Sequence, residues 1–412
     1  MRYCVTTQLH LLDREPQPSD VEGKVRIQMR RRVFWSAYAL DRAVGTMFDL
    51  PFSIPDYQIT VPIYANIEDD ELPVRCREAM PADPASQAQH TSVSAALHVV
   101  YCRQIQSEIL NITLHRDYAV QFERCYDWRL RILEKLDRWK SLCHRFSDTR
   151  SKSYTSNDWM HMIYNFSLAM LYHPTAQDAG GPAAEWTVKS CVQALLIFHK
   201  FQREGIISEP WMGLIQQFKC GVALLYCFFI TPPHLRSETY NAPAVGEALG
   251  ACRVTLALLA MRWAESESLR DTFDLLVQDI SVSGHQSDPR VSQLRPASAE
   301  AIRSKLDELQ AIVIHRGTLR MICEMAATFP HPAPATTNEG LSWDGAEVDA
   351  PRRASPSLHA GGLGDGASIK TADLFLPLTP RFIAPDIRNA STDFMESESL
   401  GFPGLFDADL LF

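Results

Sequence analysis

The chain has 412 residues, 46% of them hydrophobic, and 40 Lys and Arg against 49 Asp and Glu give a formal net charge of -9. That length supplies a sizeable core in one large domain or two ordinary ones. The acidic balance excludes a surface that neutralises nucleic-acid phosphates by bulk charge, although it leaves room for a local basic patch.

The opening "MRYCVTTQLHLLDREPQ" has no apolar segment of signal-peptide type. The longest apolar run, "CGVALLYCFFI" at residues 220–230, falls well short of the roughly 20 residues a bilayer requires. The expectation is a soluble intracellular chain that does not enter a membrane. The ten cysteines form no C-x-x-C pair, so they read as buried reduced thiols rather than metal ligands. No metal or other cofactor is expected in these residues.

Apolar residues recur with a helical period along most of the chain up to about residue 328. In "RRRVFWSAYALDRAVGTMFDLPFSIPDYQITVPI", residues 30–63, Val33, Ala37, Leu40, Val44 and Met47 step by four and three, which predicts one buried stripe. Phe34, Tyr38 and Asp41 form the row beside it. Ser19 and Glu22 have the spacing of a capping box. Pro51, Pro55 and Pro62 forbid continuation, so residues 49–63 are expected to be a loop.

Further helices are predicted over 92–114, 119–146, 156–173, 184–203, 209–231, 243–263 and 298–328. In the second of these, Phe122, Cys125, Trp128, Ile132, Leu136, Trp139, Cys143 and Phe146 trace the buried stripe. His173-Pro174 and Thr231-Pro232-Pro233 read as stops. Period-two runs of β-branched residues are missing from the sequence, so the predicted fold class is all-α: a multi-helix regulatory domain over 1–328 with a disordered C-terminal tail.

From residue 329 to 390 the composition turns to Pro, Gly, Ser and Asp, which reads as a disordered linker. Residues 391–412 differ. "DFMESESLGFPGLFDADLLF" holds five carboxylates, no Lys or Arg, four Phe and four Leu. Mutual repulsion of the acids keeps Phe394, Leu400, Phe402, Leu405, Phe406, Leu410, Leu411 and Phe412 from collapsing into a core. Those side chains then stay available to shallow apolar grooves on a partner, the chemistry of an acidic-hydrophobic activation segment. The opposing reading is a tail that seals its own domain.

Catalytic patterns fail on spacing. "EDDEL" at 68–72 is followed by Pro73 where an aspartate-rich metal motif needs an acid. "GGLGDG" at 361–366 follows no strand. His161 has Asp158 nearby, without an H-E-x-x-H pair. No nucleophile motif is present, and the chain is expected not to be an enzyme. Arg30, Arg31 and Arg32 cover almost a full helical turn, so they are read as structural cations packed over aromatics rather than as a DNA grip. In "PRRASP", 351–356, Ser355 fits a phosphoacceptor for a basophilic kinase.

The stretch from Met29 to Ile63 resembles the signature of the fungal-specific transcription factor domain, the middle homology region of fungal zinc-cluster regulators. The residues that carry the resemblance are Arg31, Arg32, Phe34, Trp35, Tyr38, Asp41 and Arg42, then Pro51, Phe52, Ile54, Ile59, Val61 and Pro62. "MIYNFSLAMLYHPT", "FKCGVALLYCFF" and "ACRVTLALLAMRWAESESLRDTFDLL" are similar to later helices of the family, which extends the resemblance over about residues 2–285.

The resemblance implies a nuclear regulator of RNA polymerase II transcription, of a metabolic or secondary-metabolite gene set, with a cytoplasmic pool as the other location. It implies an interhelical pocket for a small-molecule effector and a homo- or heterodimer with a related factor. The tail would contact the transcription machinery or a coactivator. DNA contact and zinc are implied only by the family's Cys-x2-Cys-x6-Cys half-cluster, a spacing these cysteines lack. Two rivals stand beside this reading: a coregulator that acts by pairing with a full-length paralogue, and an all-α enzyme.

Overall fold

The computed structural model describes residues 1–327, apart from 78–89, 114–124, 153–154, 177–180, 208–209, 281–293 and 314. The expected linker and tail, with Ser355 and every proposed activation residue from Phe394 to Phe412, lie outside the described residues. Among those described, the regular structure is helical throughout, with no strand.

The helices are α1 (Arg2–Thr6), α2 (Val21–Phe48), α3 (Leu72–Arg77), α4 (Ser94–Thr113), α5 (Tyr126–Phe146), α6 (Asn157–Leu171) and α7 (Pro182–Arg203). They continue with α8 (Pro210–Ile230), α9 (Glu238–Asn241), α10 (Pro243–Ala260), α11 (Glu267–Asp279), α12 (Pro296–Ser304), α13 (Leu306–Ile312) and α14 (Arg316–Met325). From α4 to α8 each helix packs on the next in the chain. Two large apolar cores result, with two small clusters beside them. One lies among α2, its following loop, α4, α5 and α6; the other surrounds α8.

α8 explains the second core. Every residue from Gln217 to Phe229 is buried, because α7, α10, α11 and α14 all pack on this helix. By length and composition α8 and α10 are each apolar enough to cross a membrane; in α8 that apolarity is used internally, as in the core helix of a globular domain.

Three expectations require correction. The capping residue of α2 is Asp20, whose carboxylate accepts from the Gly23 N–H at 2.9 Å, so the cap sits one residue beyond Ser19. An aspartate at that position satisfies an orphan N–H and meets the positive helix end.

The stripe predicted as the core face of α2 points largely outward. Val33 is 52% and Leu40 is 61% exposed, while Phe34, Trp35, Tyr38 and Arg42 are buried. Apolar spacing alone identified two adjacent rows, and the row with the larger aromatic area won the interior.

The single helix expected over 298–328 is three, α12 to α14, with breaks at Lys305 and at Val313. His315 starts the last of them by accepting the Thr318 N–H on its Nδ1 at 3.1 Å. α3 and α11 were not separately predicted.

Candidate functional site

The arginine-aromatic face of α2 and the proline loop that follows it form one polar and aromatic cluster. Arg42 stands at its centre, fully buried. Its guanidinium donates to the Ile54 carbonyl at 2.6 Å, to Asp41 at 2.8 Å and to Asp56 at 3.2 Å. It also lies between two rings, 4.0 Å from the centroid of Tyr38 and 4.4 Å from that of Phe52. Of its nitrogens Nε is left without a hydrogen-bond partner; a buried cation is tolerable only because the other two are so well met.

The loop residues meet the helix one by one. Tyr38 donates its hydroxyl to Asp56 at 2.6 Å, and burial, with the Asp56 charge, holds that phenol far above its ordinary pKa. Asp56 also accepts from the Ser107 hydroxyl of α4. Asp41 accepts from the Ser53 N–H at 3.2 Å and from its hydroxyl. Trp35 donates its indole N–H to the Pro62 carbonyl at 2.9 Å. Pro51 starts the loop beside Phe52, and Ile54 is buried at its base.

The other two arginines face elsewhere. Arg31 makes a two-pronged bond to Glu15, at 2.9 and 2.6 Å. Arg32 donates to the Ile67 carbonyl at 2.8 Å and pairs with Asp69 of the acidic loop. Asp69 is thereby held as a counter-ion, while Glu68 accepts from the Ser92 N–H and hydroxyl at 2.6 and 2.5 Å. Asp158 pairs with Lys200 at 2.8 Å. Among the described residues no group of three His, Cys, Asp or Glu side chains could hold a metal ion. The ten cysteines are all free thiols, eight of them buried; Cys125 is half-buried and Cys323 exposed.

The C-terminal end of α2 is closed by residues far away in sequence. Lys219 of α8 donates to the carbonyls of Thr46 and Met47 at 3.3 and 3.0 Å. Burial lowers its pKa to about 8. Asp49, in the left-handed conformation at φ 58°, caps the helix and pairs with Arg316 at 2.8 Å.

Beside this end of α2 lies an interhelical cavity of about 90 Å³. Its wall takes Thr46 and Met47 from α2, Arg103 and Gln106 from α4, Met162, Ile163, Phe166 and Met170 from α6, Phe198 and Phe201 from α7, and Met212 and Gly213 from α8. Four methionines among aromatic rings give a wall that can re-pack around different shapes. The polar groups gather on one side, where Arg103 donates to Gln106 at 2.6 Å and Gln106 to Ser167 at 2.9 Å. An apolar chamber with a few convergent polar groups has the composition of a small-molecule site. Sequence reading did not find these residues, since they are spread from position 43 to 216; the methionines of α6 were the one local sign.

The match that places this arrangement covers the N-terminal part of the chain: residues 1–141 fit the profile of the fungal specific transcription factor domain. These 141 residues are thus similar to that domain. Its arginine-aromatic face and proline loop both fall inside that span. The chain is similar to Pyrimidine pathway regulatory protein 1 of Saccharomyces cerevisiae, 26% identical over 210 residues, which is 49% of this chain and 23% of that protein. It is similar also to Protein STB5 of the same yeast, 25% identical over 280 residues, 65% of this chain and 36% of that protein. An uncharacterized transcriptional regulatory protein of that yeast matches at 22% identity over 273 residues, 60% of this chain and 19% of that protein. The chain thus spans less than two fifths of the length of these relatives. No solved structure matches.

Proposed function

We propose that this chain is the regulatory part of a fungal transcription regulator that acts in the nucleus on RNA polymerase II transcription. The observation that carries the reading is the fungal specific transcription factor domain over residues 1–141, supported by relatives of which two are described in their names as regulatory proteins. In this reading Arg31, Arg32, Phe34, Trp35, Tyr38, Asp41, Arg42, Pro51, Ile54 and Pro62 are frame, because their bonds run to one another, to backbone carbonyls and to nearby side chains such as Glu15, Ser53, Asp56 and Asp69. The chamber beside Met47 is where a small effector would enter, and residues 391–412 are where a coactivator or the transcription machinery would be met. Zinc and direct DNA contact would belong to a six-cysteine cluster, whose spacing these cysteines do not have.

The test joins residues 1–412 to a foreign DNA-binding domain and reads a reporter. Output is expected, and Phe402→Ala, Phe406→Ala and Leu410→Ala together should abolish it. Undiminished output in the triple variant would remove the activation role of the tail; no output from either chain would remove the activator reading. The effector is tested apart from this, by a thermal-shift screen of small apolar acids and amides, with each hit repeated on Gly213→Ala.

A further inference from the structure

A cleft open to solvent runs between α5 and α6, lined by Asp137, Lys140, Ser141 and His144 of the first helix and by Asn157 and His161 of the second. The loop joining the two helices turns back on itself, with the Asp148 N–H donating to the Thr155 carbonyl at 3.0 Å, so they pack antiparallel. Tyr164 donates its hydroxyl to Asp137 at 2.5 Å and sets the register. Steps of three and then four residues towards the loop bring Lys140 level with His161, then His144 level with Asn157. The seven residues from Asp137 to His144 make a cleft about 10 Å long.

The three rungs differ in how they are closed. Asp137 is met by Tyr164 in the first. In the second a cation faces a base. The Lys140 ammonium lies 4.6 Å from the centroid of the Tyr164 ring, and no carboxylate among the described residues pairs with it. Burial, and then the Lys140 charge, holds His161 below its ordinary pKa against the opposite pull of Asp158. Asp158 is itself taken by Lys200 of α7, at 2.8 Å. In the third rung the His144 ring has no hydrogen bond among the described residues, and the Asn157 Oδ1 is shielded from solvent without one. That amide, turned over, offers N–H donors in the same place. Of the lining residues only Asp137 is acidic, and it stands at the far end. The unmatched positive groups are thus gathered at one end of the cleft and its carboxylate at the other.

We propose that this cleft binds a small phosphate monoester carrying hydroxyl groups, its phosphate held among Lys140, His144 and His161 and a hydroxyl donated to Asp137. A dianion between Lys140 and His161 removes their repulsion and accepts charge-assisted hydrogen bonds from both. It also lies at the N-terminal end of α6, where the helix dipole adds to the attraction. Asp137 has an oxygen besides the one that accepts from Tyr164, and its charge repels a second phosphate, so the ligand carries its negative charge at one end. A nucleic-acid backbone, with phosphates on both sides, fits this polarity poorly, and the net charge of -9 opposes it as well. The cleft shares no lining residue with the chamber beside Met47, so this site stands independently of the effector and transcriptional readings.

Isothermal titration of the full chain at low salt tests it, with glucose 6-phosphate, inorganic phosphate, glucose and a short DNA duplex as probes. Glucose 6-phosphate should bind with a Kd of about 0.1 to 1 mM, inorganic phosphate about threefold or more weaker, and glucose not measurably. Lys140→Gln and His161→Gln should each weaken the ester about tenfold. Asp137→Asn should weaken the ester and leave inorganic phosphate unchanged, while Arg262→Gln, the same loss of charge on a residue outside the cleft, should change neither. Lys140 is exposed, so its variant decides the matter even if His161→Gln fails to fold. Absence of binding at about 20 mM ester overturns the proposal, and so does an affinity that Lys140→Gln leaves unchanged. Equal affinity for inorganic phosphate overturns the role of Asp137, and displacement of the ester by the duplex at equal phosphate concentration overturns the small ligand in favour of a nucleic-acid backbone.

Discussion

Arg42 and Asp56, 14 positions apart and 3.2 Å from contact atom to contact atom, join α2 to its loop. The arginine is completely buried, yet the aspartate side chain remains 38% exposed. The cluster is therefore open on one side only. Replacing Arg42 by Met strands the carboxylates of Asp41 and Asp56 and leaves the Ile54 carbonyl without its donor. Breaking a buried pair in this way costs about 3 to 5 kcal/mol. Urea unfolding of Arg42→Met should show a loss of that size, and Arg42→Lys should recover little of it, because a point charge cannot reach three acceptors in the plane of the fork. A loss below about 1 kcal/mol would contradict this account.

His98 predicts an acid-sensitive step. Its ring is stacked between Trp139 and Phe146, at centroid distances of 4.5 and 4.7 Å, with its Nε2 3.0 Å from the Trp139 carbonyl and 3.6 Å from Cys143 Sγ. Burial lowers its pKa to about 4. Between pH 6.5 and about 4 the unfolded chain binds the proton and the folded chain does not, so stability rises with pH through that window. The contribution is complete above pH 6.5 and is lost as the pH falls to about 4, roughly 3 kcal/mol in all. His98→Phe should begin less stable at pH 7 and fall less steeply with acid. Parallel curves for the two proteins would rule the contribution out.

Gly213 sits where any side chain would meet Phe198. A Cβ built there comes within 2.3 Å of the Phe198 ring, and that ring is part of the cavity wall. An exposed helical Gly→Ala change ordinarily stabilises by about 1 kcal/mol. Here the sign should reverse, with Gly213→Ala losing about 1 to 3 kcal/mol from overpacking. Phe198→Leu in the same chain should relieve part of it, measured as a double-mutant cycle. Simple additivity of the two changes would show that the ring is not what the new methyl strikes.

The thiols give a quick check of the packing. Cys323 should react first with Ellman's reagent in the native protein and Cys125 more slowly, while the other eight wait for denaturant. Cys323→Ala should remove the fast phase. A fast phase that persists would show that one of the buried cysteines is reached by reagent.

The helix pattern was legible because single helices advertise themselves locally. The stripe of α5 from Ile132 through Trp139 to Phe146 is buried as its spacing indicates, and Pro174 and Pro232 lie just past the ends of α6 and α8. The face of α2 was not legible, since two rows share one spacing and only the packing area decides between them. Nor was the division of 298–328 into three helices, because it depends on a histidine acting as a cap rather than on apolar period. The role of Asp41 and Arg42 beside the proline loop follows from resemblance and from the contacts now visible. The cavity had no sequence signature, being assembled from helices that meet only after folding.

The way α2 ends has a consequence for synthesis. Its contacts with its own loop span fewer than thirty positions, so they can form while the chain is short. Its last carbonyls wait for Lys219, 172 and 173 positions later, and Asp49 waits for Arg316, 267 positions later. On the ribosome, where the N-terminal part emerges first, that end of the helix therefore stays hydrated until α8 arrives, and its outer ion pair closes only with α14. Nascent chains stopped before residue 219 would show a frayed last turn of α2 in hydrogen exchange, and those stopped after residue 316 would show it protected.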